Sequence, residues 1–190
     1  MQRFLSRRAA ELALVFTVAL VAPLSALWAA DADCESLGIA LASTSGFNEI
    51  KCTSGGSGGG GLSQTEEGIV ASGAATLFVI RHAAAGVRTY FTRASTRQIT
   101  DAVSAFGKIE NWGAAPGGNQ FEVARFNGRL ADHPDLPLAC FAFSRFTGHV
   151  DHSSSGFRHM LYGFYCVAVA DQIPDAEVRR LIGSITFNFE

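Results

Sequence analysis

The chain has 190 residues, 48% hydrophobic and 17% charged, with a formal net charge of −2 and four cysteines. Such a balanced chain carries no basic footprint for nucleic acid. Past its first thirty or so residues, its length suits one domain able to bury a core of its own.

The N-terminus comes first. Arg3, Arg7 and Arg8 precede an apolar run of 19 residues from Leu12 to Ala30, which ends in the small-residue sequence Ala30-Asp31-Ala32. This is the layout of an export signal, with cleavage expected after Ala32. The run is long enough to cross a bilayer core, but Pro23 interrupts it, so removal is favoured over retention as an anchor. Cleavage after Ala29 is the weaker alternative, because Leu27 would stand at the small-residue position. On either outcome the arginines hold the N-terminus inside and the rest is translocated. The expected location is the periplasm or the extracellular space, with no stable membrane span once the signal is cut. Ser6-Arg7-Arg8 lacks the bulky apolar pair of a twin-arginine signal, and Cys34 follows Ala32-Asp33 rather than a lipidation sequence. Residues 33–190 keep 12 basic and 15 acidic side chains; Lys51 and Lys108 are their only lysines. The arginine excess is first a compositional bias.

Residues 33–53 read as a short segment closed by a local Cys34–Cys52 disulfide. Ser54-Gly55-Gly56-Ser57-Gly58-Gly59-Gly60-Gly61 reads as a flexible linker, and 62–190 as the folded domain, holding 12 of the 15 phenylalanines. The glycine run is no phosphate loop, because Leu62-Ser63-Gln64 follows it instead of Gly-Lys-Ser/Thr. Candidate strands are Thr76–Arg81, Val87–Thr92, Gln120–Phe126, Leu138–Thr147, Phe157–Ala168 and Ser184–Phe189. Ile99, Ala102, Val103 and Phe106 have the spacing of a buried helix face, with Ser95 and Gln98 as a capping box. Val178, Leu181, Ile182 and Ile185 repeat that spacing after Pro174. The expected fold is therefore α+β: a mostly antiparallel sheet with both helices packed on one face, stapled by disulfides.

The cysteines define a register. A turn centred near Ser153 in the polar stretch Asp151–Gly156 sets Cys140 directly opposite Cys166, within reach of a cross-strand disulfide. It also opposes Phe141 to Tyr165, Ala142 to Phe164 and Phe146 to Met160, pairs that stabilise sheets. An even cysteine count in an exported chain favours bonding over metal or nucleophilic roles.

Two clusters carry possible chemistry. His149, Asp151, His152 and His159 sit where a hairpin end brings both strands together, which suits zinc or copper; a solvated turn is the plainer reading. Ser153, Ser154 or Ser155 beside these histidines would make a hydrolase, without a nucleophile-elbow sequence. Arg81, Arg88, Arg93, Arg125, Arg145 and Arg158 would bind a carboxylate or phosphate if they converged on one sheet face. Trp112, with the loop Gly113–Asn119, forms either a recognition edge or a cap on the core below the first helix. His82 and His133 read as surface or capping residues. No catalytic constellation emerges. The leading reading is an exported bacterial-envelope binding module without cofactor, for an unknown envelope protein or small ligand. A metal-binding protein and a hydrolase are the alternatives.

Overall fold

The computed structural model describes residues 30–44, 46–59, 62–85, 89–118, 120–150, 156–168 and 172–188. In chain order the strands are β1 (Ala30–Asp31), β2 (Ile39–Leu41), β3 (Phe47–Gly59), β4 (Leu62–Gly73), β5 (Ala75–Ala85), β6 (Phe91–Thr92), β7 (Phe106–Ala114), β8 (Glu122–Leu130), β9 (Leu138–His149), β10 (Gly156–Ala168) and β11 (Ile185–Phe187). A one-turn 3-10 segment covers Cys34–Ser36; α1 spans Thr96–Asp101 and α2 spans Asp175–Ser184. One antiparallel sheet runs β1-β3-β4-β5-β10-β9-β8-β7, with β6 also on β10, while β2 and β11 pair separately.

Among the described residues the fold is mainly β, with 60% strand and 14% helix, which corrects the α+β expectation. The helices also lie on opposite faces of the sheet. Val178, Leu181 and Ile182 of α2 pack with Ile39, Leu77, Val79, Phe141, Phe143, Leu161 and Tyr165. Ile99 of α1 and Val103 just after it pack with Ile80, Phe126, Cys140, Ala142, Tyr162, Phe164 and Cys166. Alternation along β9 and β10 divides one apolar run between two cores. That is why these strands read as nearly continuous hydrophobic stretches, the pattern of a sheet covered on both sides.

On the α1 side the rings form a ladder: Trp112 to Phe126 at 4.9 Å, Phe126 to Phe106 at 5.2 Å, Phe106 to Phe164 at 5.0 Å and Phe164 to Phe78 at 5.2 Å between centroids. Trp112 thus caps this core, with Arg97 over its ring at 5.5 Å.

The β9–β10 register is the one the sequence implies: Cys140 opposes Cys166, Phe141 opposes Tyr165, Ala142 opposes Phe164 and Phe146 opposes Met160. Both disulfides are formed, Cys140–Cys166 and Cys34–Cys52. The expected turn residues 151–155 lie outside the described residues.

Further expectations are corrected. Ser54–Gly59 is not a linker: it pairs residue by residue with Leu62–Glu67. Glycine has little strand preference of its own, but β4 is held on its other side by β5, so β3 meets a preformed edge. Nor do residues 33–53 form an appendage, because Ile39 and Cys52 are buried in the same core as α2. The first helix keeps its capping box at Ser95 and Gln98 but stops at Asp101. Tight turns then carry Val103 and Phe106 to the core, with Val103 N–H bonded to Thr100 O and Phe106 N–H to Val103 O. Phe106 opens β7, a strand hidden in the sequence by two register breaks that destroy its alternation. Of the expected strand Val87–Thr92, residues 87 and 88 are outside the described set, and within 89–92 Phe91–Thr92 is strand.

Candidate functional site

The ends of β5, β9 and β10 nearest the β9–β10 hairpin gather most of the candidate residues. Across the α2 side, one row runs Glu67, Arg81, Leu161, Arg145 and the next runs Thr65, Ala83, His159, Thr147. Arg81 is buried, its Nη1 donating at 3.0 Å to Glu67 Oε2, which also accepts from Gly38 N–H at 2.9 Å. A Cβ on Gly38 would lie 2.6 Å from Arg81 Nη1, so the bare glycine admits this ion pair beneath the chain. His159 stands opposite both Thr147 and Ala83. Burial, then the positive charges of Arg81 and Arg158, hold its pKa below the ordinary histidine value.

The described arginines of this set do not converge. Arg81, Arg125 and Arg145 share the α2 side, but each has its own partner. Arg125 reaches Asp175 and the Ile173 carbonyl, tying β8 to the start of α2. Arg145 donates to Gln120 Oε1 at 2.9 Å and lies over the Phe187 ring at 4.7 Å. Arg158 projects from the other side and donates to Thr89 O at 3.2 Å. Arg93 is exposed, and Arg88 is outside the described residues. Of the expected metal donors, His149 and His159 lie on facing strands, whereas Asp151 and His152 fall outside the described residues, as do Ser153, Ser154 and Ser155. Among the described residues no three histidine, cysteine, aspartate or glutamate side chains gather as a metal set. His133 is exposed near Asp132.

His82 is neither solitary nor superficial. Its Nδ1 is 3.5 Å from Glu66 Oε2 and its ring faces Phe91 at 6.0 Å. The carboxylate favours the imidazolium, but burial outweighs it, lowering the His82 pKa from 6.5 to about 4 and raising that of Glu66. Native His82 is thus neutral near pH 7, while the unfolded chain protonates it below 6.5. The stability this supplies is complete above pH 6.5 and is lost as pH falls towards 4. At 1.36 kcal/mol per unit, and with Glu66 acting in the opposite sense, the loss is about 2 kcal/mol. Urea midpoints at pH 7 and pH 4.5 should show this drop, and His82→Gln should shrink it.

The α1 side holds a polar cluster that the sequence pattern hides. Thr96 Oγ1 donates to Glu122 O at 3.0 Å and is 2.7 Å from Ser144 Oγ. With the Thr96 proton committed, Ser144 is the donor of that second bond. Thr100 Oγ1 donates to Thr96 O at 2.7 Å and accepts from Tyr162 OH at 3.5 Å; Glu122 Oε1 takes the Thr96 N–H at 3.0 Å. Burial, the largest influence, raises the Tyr162 pKa. The only hint in the sequence is hydroxyl residues at strand and helix positions otherwise assigned to the core. Thr96→Val strips partners from Ser144 and the Glu122 carbonyl, and should cost about 2 kcal/mol. A Thr96→Val/Ser144→Ala double-mutant cycle in urea should show coupling between the two.

Comparison with protein-family models, with curated proteins and with solved structures finds no match to this chain. Two disulfides fit an oxidising compartment, and no helix among the described residues is long and apolar enough to cross a membrane.

Proposed function

We propose that this chain is an exported, non-enzymatic interaction domain that holds an envelope protein or small ligand at the margins of its sheet. One observation carries the reading: the central strands are covered on both faces, by α2 with β2 and β11 on one side and by α1 with its following turns on the other. The groups left to meet a partner lie at the hairpin end and along the strand edges. The side chains closest to a catalytic set, Thr96, Thr100, Ser144 and Tyr162, are buried and bonded to one another. The charged start and apolar run before Ala32 supply the export route, with the signal removed.

The test uses untagged processed protein, purified from the exported fraction and immobilised at graded densities against detergent-solubilised envelope. Saturable retention of one component, competed by excess free protein, is the expected result. Retention that never saturates would overturn the reading. The same preparation is assayed for zinc and copper. Stoichiometric metal that is lost in His149→Ala would replace the interaction reading with a metal carrier built on His149, Asp151, His152 and His159.

A further inference from the structure

The bond cut on the export reading, Ala32–Asp33, is built into the fold on both sides. Before it, Ala30 and Asp31 form β1 against Ser54 and Thr53, and Ala32 N–H donates to Cys52 O at 2.9 Å. After it, Asp33 caps the turn Cys34–Ser36. Its Oδ1 accepts from Glu35 N–H at 3.1 Å, and its carbonyl accepts from Ser36 N–H at 3.0 Å and from Ser36 Oγ at 2.7 Å. Cys34 is then bonded to Cys52 of β3, the same residue that receives the Ala32 N–H. Cleavage after Ala32 takes Ala30 and Asp31 away, so β1 belongs to the uncut chain alone.

A protease takes its substrate as an extended strand, with alternate side chains in its pockets. For this bond the pockets would take Ala30 and Ala32. Seating them requires β1 to leave β3 and the Cys34–Ser36 turn to straighten. Neither step costs much alone, because β1 is two exposed residues long and such elements open at the low end of local stability. The disulfide is the stronger restraint. It is covalent, begins two residues past the bond and holds the Cα atoms of Cys34 and Cys52 5.2 Å apart. Cys52 cannot follow the chain outward, since it is 4% exposed and pairs with Ile69 of β4 on its other side. Whether a bond can be nicked depends on how its backbone is held, and here the bridge holds it.

We propose that Ala32–Asp33 is a processing site open only until Cys34–Cys52 closes, so that oxidation of this pair decides between two forms of the protein. One is a released domain beginning at Asp33. The other is a folded, uncut chain kept at the membrane by the run from Leu12 to Ala30, whose 19 residues suffice to cross a bilayer core. Cutting adds one water across the bond, leaving a carboxylate on Ala32 and an ammonium on Asp33. Closing the bridge passes two electrons and two protons from the thiols to a disulfide oxidant of the export compartment, which becomes a dithiol. The two reactions compete because Cys52 lies only 18 residues beyond Cys34 and follows it closely across the membrane. The inference rests on the export route of the interaction-domain reading and deepens it.

Full-length precursor in detergent micelles, with both bridges confirmed by peptide mapping, is incubated with purified signal peptidase and its products are weighed. The oxidised precursor should be cut at Ala32–Asp33 more slowly, by roughly tenfold or more, than precursor reduced at Cys34–Cys52 alone. Selective reduction is open because Cys34 is exposed, whereas Cys140 and Cys166 are buried. A Cys34→Ala/Cys52→Ala precursor should be cut at the fast rate with or without reductant, and its Cys140–Cys166 bridge reports that the sheet has formed. Should that variant fail to fold, the selectively reduced wild type carries the comparison. In cells, uncut chains that survive a pulse label should carry the Cys34–Cys52 bridge and sediment with membranes.

Equal cutting of the oxidised and reduced precursors would overturn the inference and leave the export route standing. Cleavage of the oxidised precursor after Ala29, ahead of β1, also overturns it, because the folded chain is then released at a bond the bridge does not hold. Wild type that leaves no oxidised, uncut chain in cells does the same. A precursor that stays whole in every form, the reduced one and the variant included, removes the export signal first and the inference with it.

Discussion

Gly163→Ala should destabilise the protein by about 3 kcal/mol, at the upper end of what a single added methyl does in a packed interior. Strand preference alone would favour the alanine, so the sign of the effect separates packing from propensity. Gly163 sits between Val79 of β5 and Phe143 of β9 in the centre of the sheet. A Cβ there would fall on the Phe143 ring and on the Phe78 carbonyl oxygen, both far inside van der Waals contact. The ring is itself fully buried, packed edge-on against Phe121 with centroids 5.6 Å apart, and has no room to retreat. Urea unfolding of Gly163→Ala measures the cost. Phe143→Leu should recover part of it, since the carbonyl clash with Phe78 stays whatever occupies 143. A variant as stable as the wild type would mean that the β5–β10 approach is looser than described.

Loss of the Cys140–Cys166 bridge should cost about 3 kcal/mol, the chain-entropy value for a loop of this size. The two residues are 26 apart in sequence, with Cα atoms separated by 4.2 Å. Both are buried in the α1-side core, so Cys140→Ala also leaves a small void, and Cys166→Ser would add a hydroxyl seeking a partner. The double change to alanine in urea, beside the wild type with and without reductant, checks the magnitude. Peptide mapping should recover Cys140 with Cys166 and Cys34 with Cys52; a cross-linked Cys34–Cys140 peptide would break the β9–β10 register.

That register was the most legible part of the fold. Two long apolar strands separated by a polar stretch admit few pairings, and the cysteines mark one of them. The second helix was equally legible, because Val178, Leu181 and Ile182 need only a local period to announce a buried stripe, although Ile185, the fourth residue of that period, opens β11 instead. The first was legible at its start, where the Ser95–Gln98 box is a local device, but not at its end. Val103 and Phe106 reach the core by turns that mimic helical spacing. β7 escaped notice because Asn111, with φ 57°, and two register breaks scramble its alternation.

The candidate sites were less legible. Composition supplied the arginines and histidines but not their partners, since Glu67 for Arg81, Asp175 for Arg125 and Thr89 O for Arg158 are all distant in sequence. The Thr96–Ser144 bond spans 48 residues, and no local pattern anticipates it.

By itself the sequence determined the elements whose signals are local: the charged and apolar N-terminal layout, the strand periods, the capping box and the β9–β10 register with its disulfide. Only the tertiary structure decided that the glycine-rich stretch is a strand, that residues 33–53 belong to the core and that the two helices cover opposite faces. Each of these depends on what a segment packs against. Glycine carries no side-chain pattern to read, and β4, pinned by β5, turns Ser54–Gly59 into the edge of a sheet.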